Sequence, residues 1–305
     1  MSELLLSTNG LTKQYGHHKA VDKVNLHIKK GAIYGFIGRN GAGKTTCLKM
    51  ISGLARPTAG EIEMFGCKGK ELERIRSRVG CLIEAPGLYG NMNAYTNLKI
   101  NCELFGIRKK GYIEDILETV GLEGVGKKKT KHFSLGMKQR LGIGLALVGE
   151  PDLLVLDEPI NGLDPQGIAE VRDTIQRLRD ERNMTILISS HILEELSKIA
   201  TDYGIIHNGS LLQELTSEEL MKRCSERIEI ELIHPEQAVP ILDRMGFTNY
   251  QVTDKSHIHI FGRLNESANV NMELAKAGIL VNGISITSEE LETYFLNLTG
   301  GNQNA

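Results

Sequence analysis

The nine residues Gly38-Arg39-Asn40-Gly41-Ala42-Gly43-Lys44-Thr45-Thr46 constrain this chain more than any other stretch. The apolar run Ala32 to Ile37 before them predicts a buried strand, and Thr45 to Leu54 predicts a helix. The glycines therefore fall on a strand-to-helix turn, the context a phosphate-binding P-loop requires. Glycine lets backbone N–H groups close around phosphate oxygens, and the helix N-terminus adds a favourable dipole. Lys44 supplies a mobile positive charge and Thr45 a hydroxyl for Mg²⁺. The stretch from Gly38 to Thr46 reads as a nucleoside triphosphate site.

A second signal supports the first. Leu153-Leu154-Val155-Leu156-Asp157-Glu158-Pro159 is an apolar run ending in two carboxylates. In an open parallel sheet ligands bind at the C-terminal strand ends, so Asp157 and Glu158 are expected to share the crevice of the P-loop. Successive strand residues point to opposite sides, which gives the two acids different work. Asp157 is expected to hold Mg²⁺, and Glu158 to face the γ-phosphate and polarise a water. The strand Met184 to Ile188 leads to Ser189-Ser190-His191, where His191 stands at another strand end and is within reach of a γ-phosphate.

The rest of the first two thirds fits an α/β domain with an antiparallel β portion, a parallel core sheet with helices, and a helical insertion over about residues 85–148. Val24 to Ile28, Glu61 to Phe65 and Val79 to Ile83 read as strands. Asn97 to Phe105 and Tyr112 to Val120 read as helices, and Ser134 as the N-cap of a further helix, itself a potential anion site. Asp164 and Pro165 open another helix, and Asn208-Gly209 marks a hairpin. Tyr15 either stacks on a purine or is a partly buried strand aromatic. His17 and His18 read as solvated loop, as does the run Lys127 to Lys131, with which no aromatic residues interleave.

From about Thr216 the texture changes. Arg227 to Ile233 and Ser256 to Phe261 alternate, Pro235 to Met245 and Glu266 to Ala277 are helical, Leu280 to Ile286 returns as strand, and Ser288 to Leu298 is a last helix. We expect an ATPase domain at 1–220 and a small α+β domain at 221–305 without a catalytic cluster, its His257 and His259 solvated. Thirty-six basic against 38 acidic residues leave a formal charge of −2, so no overall basic field draws nucleic acid. The five cysteines are scattered without C-x-x-C spacing, which argues against zinc and disulfides and fits a reducing cytoplasm. Met1 to Gly10 carries no secretion signal, and no window approaches the roughly 18–20 apolar residues that span a bilayer.

With the P-loop, Ser134-Leu135-Gly136-Met137-Lys138-Gln139, Asp157-Glu158 and His191 in this order, the chain resembles an ABC-type ATPase, the nucleotide-binding subunit of a membrane transporter, over about residues 4–220. The resemblance implies that Tyr15 stacks on adenine, that Glu158 is the catalytic base and that His191 contacts the γ-phosphate. It gives Ser134 and Gly136 to the site of a second ATPase subunit, the same chain or a close relative, with two ATPs and Mg²⁺ sandwiched between the two. An integral membrane permease would dock beside the helical insertion and hold the protein at the cytoplasmic face of the membrane. Most members have glutamine where Glu84 stands; the resemblance places Glu84, with Thr45 and Asp157, at the metal, now bringing a negative charge.

The Leu135-Gly136-Met137-Lys138-Gln139 form, the loop Glu84-Ala85-Pro86-Gly87-Leu88-Tyr89 and the ending Leu291 to Gly300 are similar to the bacitracin- and lantibiotic-type exporters of bacteria. That group removes peptide antibiotics for resistance or self-immunity, and residues 225–305 resemble its accessory tail. Export of another drug, a lipid or a polysaccharide is the alternative within the class. A soluble ABC ATPase acting on the ribosome or on DNA would bring two cassettes or long coiled coils, whereas this chain has one P-loop and no sustained heptads.

Overall fold

The computed structural model describes residues 3–288 and 290–299. Glu289 of the predicted last helix and residues 300–305, including Gly300 of the ending noted above, lie outside the described residues. Contacts divide the chain into two compact units, Met1–Ser217 and Glu218–Ala305.

The first unit opens with β1 (Leu4–Tyr15), β2 (His18–Val24), β3 (His27–Lys29), β4 (Ile33–Ile37) and helix α1 (Lys44–Ile51). β5 (Ala59–Met64), β6 (Cys67–Lys68), α2 (Leu72–Ile75) and β7 (Val79–Leu82) follow. Helices α3 (Ala94–Leu104), α4 (Tyr112–Thr119) and α5 (Leu135–Ala146) occupy the predicted insertion. The chain returns through β8 (Leu153–Asp157), α6 (Pro165–Arg182), β9 (Thr185–Ser190), α7 (Leu193–Ser197) and the hairpin β10 (Asp202–His207) and β11 (Ser210–Thr216).

These strands make two sheets. One is antiparallel, in the order β2-β1-β5-β6 with β3 on β1; the other runs β11-β10-β4-β9-β8-β7, parallel except for the antiparallel β11. Every residue of β4, β8 and β9 is buried, as their largely apolar runs require of strands covered on both faces, with the polar Asp157, Ser189 and Ser190 at the ends of β8 and β9. Leu48, Met50 and Ile51 of α1 share a core with Leu6, Leu11, Val24 and Ile28 of the antiparallel sheet and with Phe36 and Val155 of the parallel one. Burying this apolar surface fixes the helix that carries Lys44 and Thr45.

Local chemistry sets the helix ends. Asn93, Ser134 and Asp164 cap α3, α5 and α6 by accepting the N–H of Thr96, Met137 and Gly167, and Pro165 follows the last cap. The strand predicted at Val24 to Ile28 is not continuous. Thr8 of β1 accepts from the Leu26 N–H and donates to the Val24 carbonyl, both at 2.9 Å, and so replaces ladder bonds while Asn25 turns between β2 and β3.

Gly80 in β7 allows a close approach between the sheet and α5. A Cβ there would lie 2.1 Å from the Ala146 carbonyl oxygen, a backbone atom that cannot swing aside. Gly80→Ala is therefore expected to cost about 1–3 kcal/mol and to lower the melting temperature by several degrees. A melting curve that superimposes on the wild type would refute this reading of the contact.

The second unit begins with α8 (Ser217–Cys224), β12 (Arg227–Leu232), α9 (Pro235–Arg244) and β13 (Tyr250–Val252). β14 (His257–Phe261), α10 (Ser267–Lys276), β15 (Val281–Thr287) and α11 (Leu291–Leu298) complete it. From β12 to β15 this is a βαββαβ unit, with antiparallel strands in the order β13-β14-β12-β15. Ile228, Ile230, Leu232, Ile258 and Ile260 pack against Ile241, Leu242, Val270 and Leu274 of α9 and α10. The alternate residues Arg227, Glu229, His257, His259 and Phe261 occupy the other face. His259 is not solvated as expected: its side chain is only 17% exposed and lies 3.7 Å from Glu229.

Candidate functional site

Parallel register brings the predicted segments to one edge. Ile37 pairs with Ser190 and Asp157 with Ser189, so the chain leaves β4 for the P-loop, β9 for His191 and β8 for Glu158 side by side. Gly41 and Gly43 have φ of +80° and +105°, values costly for any residue with a side chain. A Cβ on Gly43 would also come within 2.4 Å of the Ala20 carbonyl oxygen. The tip of the β10–β11 hairpin clamps the loop from behind. The Gly209 N–H donates to the Ala42 carbonyl at 3.0 Å, and the Gly209 carbonyl accepts from Asp22 N–H at 2.8 Å.

Lys44 is buried, and its Nζ donates to the carbonyls of Gly38 at 2.6 Å and Arg39 at 3.3 Å. It also lies 3.0 Å from Glu158 Oε1, while Glu158 Oε2 is 2.8 Å from His191 Nδ1. The three residues expected to do the chemistry are thus in direct contact. Asp157 is buried and turned elsewhere: its Oδ2 accepts from Thr45 Oγ1 at 2.8 Å and its Oδ1 from Ser189 Oγ at 2.7 Å. Glu158, just beyond β8, has φ +49°. That left-handed residue, not the strand pleat alone, sends the two carboxylates apart.

A cleft of about 380 Å³ opens over this group, lined by the P-loop from Arg39 to Thr46 with Tyr15, His18, Ala20 and Glu158. Tyr15 is 52% exposed at the end of β1, with Lys13 Nζ 5.0 Å from its ring centroid, so it is not a partly buried strand aromatic. Ser134 and Gly136 do not line the cleft. Ser134 Oγ accepts the Met137 N–H at 3.2 Å, and Gly136 packs against Gly167 of α6. Glu84 is joined to neither Thr45 nor Asp157 by a hydrogen bond or ion pair. Its carboxylate meets Lys49 Nζ at 2.6 Å, and this bond raises the Lys49 pKa above its ordinary value.

A family model described as ABC transporter matches residues 21–161. The chain is 45% identical to the bacitracin transport ATP-binding protein of Bacillus licheniformis over 97% of its own length and 98% of that protein's. The chain belongs to the ABC transporter family as an ATP-binding protein. It is 44% identical to the lantibiotic transport ATP-binding protein of Streptococcus pyogenes, over 69% of this chain and 90% of that one. Among solved structures, an ABC transporter ATP-binding cassette in its ADP conformation superimposes with a TM-score of 0.65 at 25% identity, covering 73% of this chain and 95% of that one. This ABC ATPase binds and hydrolyses ATP.

Ser189, which belongs to none of the motifs above, is fully buried in this ABC ATPase. Its hydroxyl donates to Asp157 and accepts the Glu158 N–H at 3.0 Å, joining both acids to β9. A polar residue closing an apolar strand was the available signal. His18, read as loop, is the other miss; β2 carries it into the cleft. Removing the Ser189 hydroxyl frees Asp157 Oδ1 and loosens the turn to Glu158. Ser189→Ala is expected to lower kcat about tenfold, the size of one hydrogen bond to a charged group, with the KM for ATP within about twofold. Ser189→Thr, which keeps a hydroxyl, tests the alternative: if Ala and Thr variants both turn over like wild type, the bond has no part in hydrolysis.

Proposed function

We propose that this ATPase drives the export of a peptide antibiotic of the bacitracin or lantibiotic type and so confers resistance or self-immunity. The observation that carries the reading is the 45% identity to a bacitracin transport ATP-binding protein over 97% of the chain, which takes in the second unit as well as the cassette. No helix among the described residues is long and apolar enough to cross a membrane; in this reading the pathway for the peptide belongs to a separate permease. In this reading the chain sits on that permease at the cytoplasmic face and works with a second ATPase subunit. The second subunit has a defined task. Ser134, exposed at the N-terminus of α5, and Gly136, buried one residue into it, lie outside the cleft of their own chain and serve the ATP of the partner.

In the proposed mechanism the P-loop N–H groups and Lys44 hold the phosphates, and Tyr15 stacks on the base. Thr45 and Asp157 would hold Mg²⁺: a hydroxyl and a carboxylate oxygen 2.8 Å apart are a hard donor set suited to that ion. Bound by these two residues, Mg²⁺ would supply charge neutralisation at the phosphates. Glu158 polarises the attacking water, and His191 fixes the Glu158 carboxylate through Oε2. The γ-phosphate competes with Glu158 for Lys44, which frees Oε1 for the water as the substrate arrives.

The test has two levels. Glu158→Gln is expected to bind ATP normally while turnover falls by about 10²–10⁴, and Lys44→Ala to lose nucleotide binding itself. In a sensitive bacterium, the chain expressed with the permease encoded beside it should raise the inhibitory concentration of bacitracin or a lantibiotic severalfold, and the Glu158→Gln chain should not. An active ATPase whose expression with its permease changes sensitivity to no peptide antibiotic would exclude this substrate class.

We infer that Glu84 couples the nucleotide to the permease. It follows β7 with φ +64°, and its carboxylate is 65% exposed while bound to Lys49 on the P-loop helix. An exposed ion pair of this kind adds at most about 1 kcal/mol to stability, so its use is to link α1 to the surface. Glu84→Gln is expected to reduce resistance more than twofold and to leave the KM for ATP unchanged. If resistance and ATPase rate both stay within about twofold of wild type, the charge of Glu84 has no coupling role.

A further inference from the structure

The second unit contains a cleft of about 610 Å³ remote in sequence from every residue of the ATP site. Lys222 and Arg223 of α8 and Arg227 of β12 face it, with Tyr250, Phe261 and Tyr294 as aromatic walls. His259 forms part of the floor, and Asn249, Gln251 and Thr253 offer hydrogen-bonding groups from the β13 side.

The charge in this cleft is poorly compensated. Lys222 has no ion pair among the described residues. Arg223 Nη1 donates to a neutral group, the Tyr294 hydroxyl, at 2.6 Å. Arg227 Nη1 donates to the Arg223 carbonyl at 3.1 Å, its Nη2 is 3.9 Å from Glu229, and its Nε is buried with no hydrogen-bond partner among the described residues. Glu229 is divided among Arg227, His259 at 3.7 Å and the Thr287 hydroxyl at 3.1 Å. Glu219 is the acid on the wall and is already engaged. Among the described residues, three cations converge on so little negative charge that an anion with several acceptor oxygens stabilises them.

We propose that this cleft of the second unit binds a phosphate-bearing ligand. Its phosphate bridges Lys222, Arg223 and Arg227 and leaves the group it is attached to against the aromatic walls. Guanidinium pairs favour phosphate over a halide because its oxygens match their parallel N–H groups. His259 reports on the cleft. Burial first, and then the Arg227 charge, hold its pKa below the ordinary imidazole value, and an anion placed among the three cations reverses the second effect.

The experiment follows the His259 ring by NMR titration of the full chain, with His259→Gln identifying the resonance. The probes are sodium phosphate, AMP and short-chain phosphatidylglycerol, each compared with sodium chloride at equal ionic strength. At least one probe is expected to raise the His259 pKa by about one pH unit in a saturable manner. Lys222→Gln, which breaks no ion pair among the described residues, should weaken that probe about threefold or more, and adding Arg223→Gln about tenfold or more. The tightest of the three tells free phosphate, nucleotide and lipid headgroup apart. If no probe moves His259 beyond the chloride control, or if the double variant binds as wild type does, the site does not exist.

Discussion

Parallel pairing of β4, β9 and β8 is the constraint on which the rest of this ATPase depends. In that order, and in the observed register, three loops far apart in sequence leave the sheet at one edge within hydrogen-bonding distance of each other. Gly38 N–H donates to the Ser190 carbonyl at 3.3 Å, and Glu158 N–H lies 3.2 Å from the Ser189 carbonyl, so β9 is the strut between the phosphate loop and the carboxylates. A one-residue slip of β9 would turn Ser189 away from Asp157 and carry His191 off Glu158. The full burial of all three strands sets that register, because each side chain already has its place between the layers.

Within that frame two adjacent acids have been given different surroundings. Asp157 is the last residue of β8 and is held at both oxygens by hydroxyls, a fixed geometry suited to an ion. Glu158 leaves the strand in a left-handed conformation and has a cation at one oxygen and an imidazole at the other, partners that the γ-phosphate and water can displace. A left-handed non-glycine residue costs of order 1–3 kcal/mol and persists only where its surroundings enforce it. Here the two bonds from Glu158 N–H to Ser189 supply that enforcement.

Much of this was legible in the sequence because it is encoded by backbone demands. The glycines of the P-loop, the apolar runs of β4 and β8 and the caps at Ser134 and Asp164 each express a local requirement that a short window contains. What escaped depends on partners distant along the chain. Ser189 looks like a strand terminus until Asp157, 32 residues away, is set beside it. The bond from Lys49 to Glu84, 35 residues later, is likewise outside any short window. The three residues of β13 are too few to stand out as an alternating run, and pairing with β14 makes them a strand.

The same distinction explains why one phosphate site in this chain is conspicuous and the other is not. The P-loop binds with main-chain N–H groups, so its specification is a glycine pattern that no other purpose reproduces. The cleft of the second unit is assembled from side chains on α8, β12, β14 and α11, segments that each read as an ordinary amphipathic helix or alternating strand. Arg227 and His259 occupy positions where a solvated sheet face would carry just such polar residues. Only the third dimension, which covers that face at one end until His259 is 17% exposed and sets Lys222 and Arg223 beside Arg227, distinguishes a binding surface from a wet one. A charge pattern on a strand thus carries functional information when the opposite wall of the cleft is known, and a glycine pattern carries it without one.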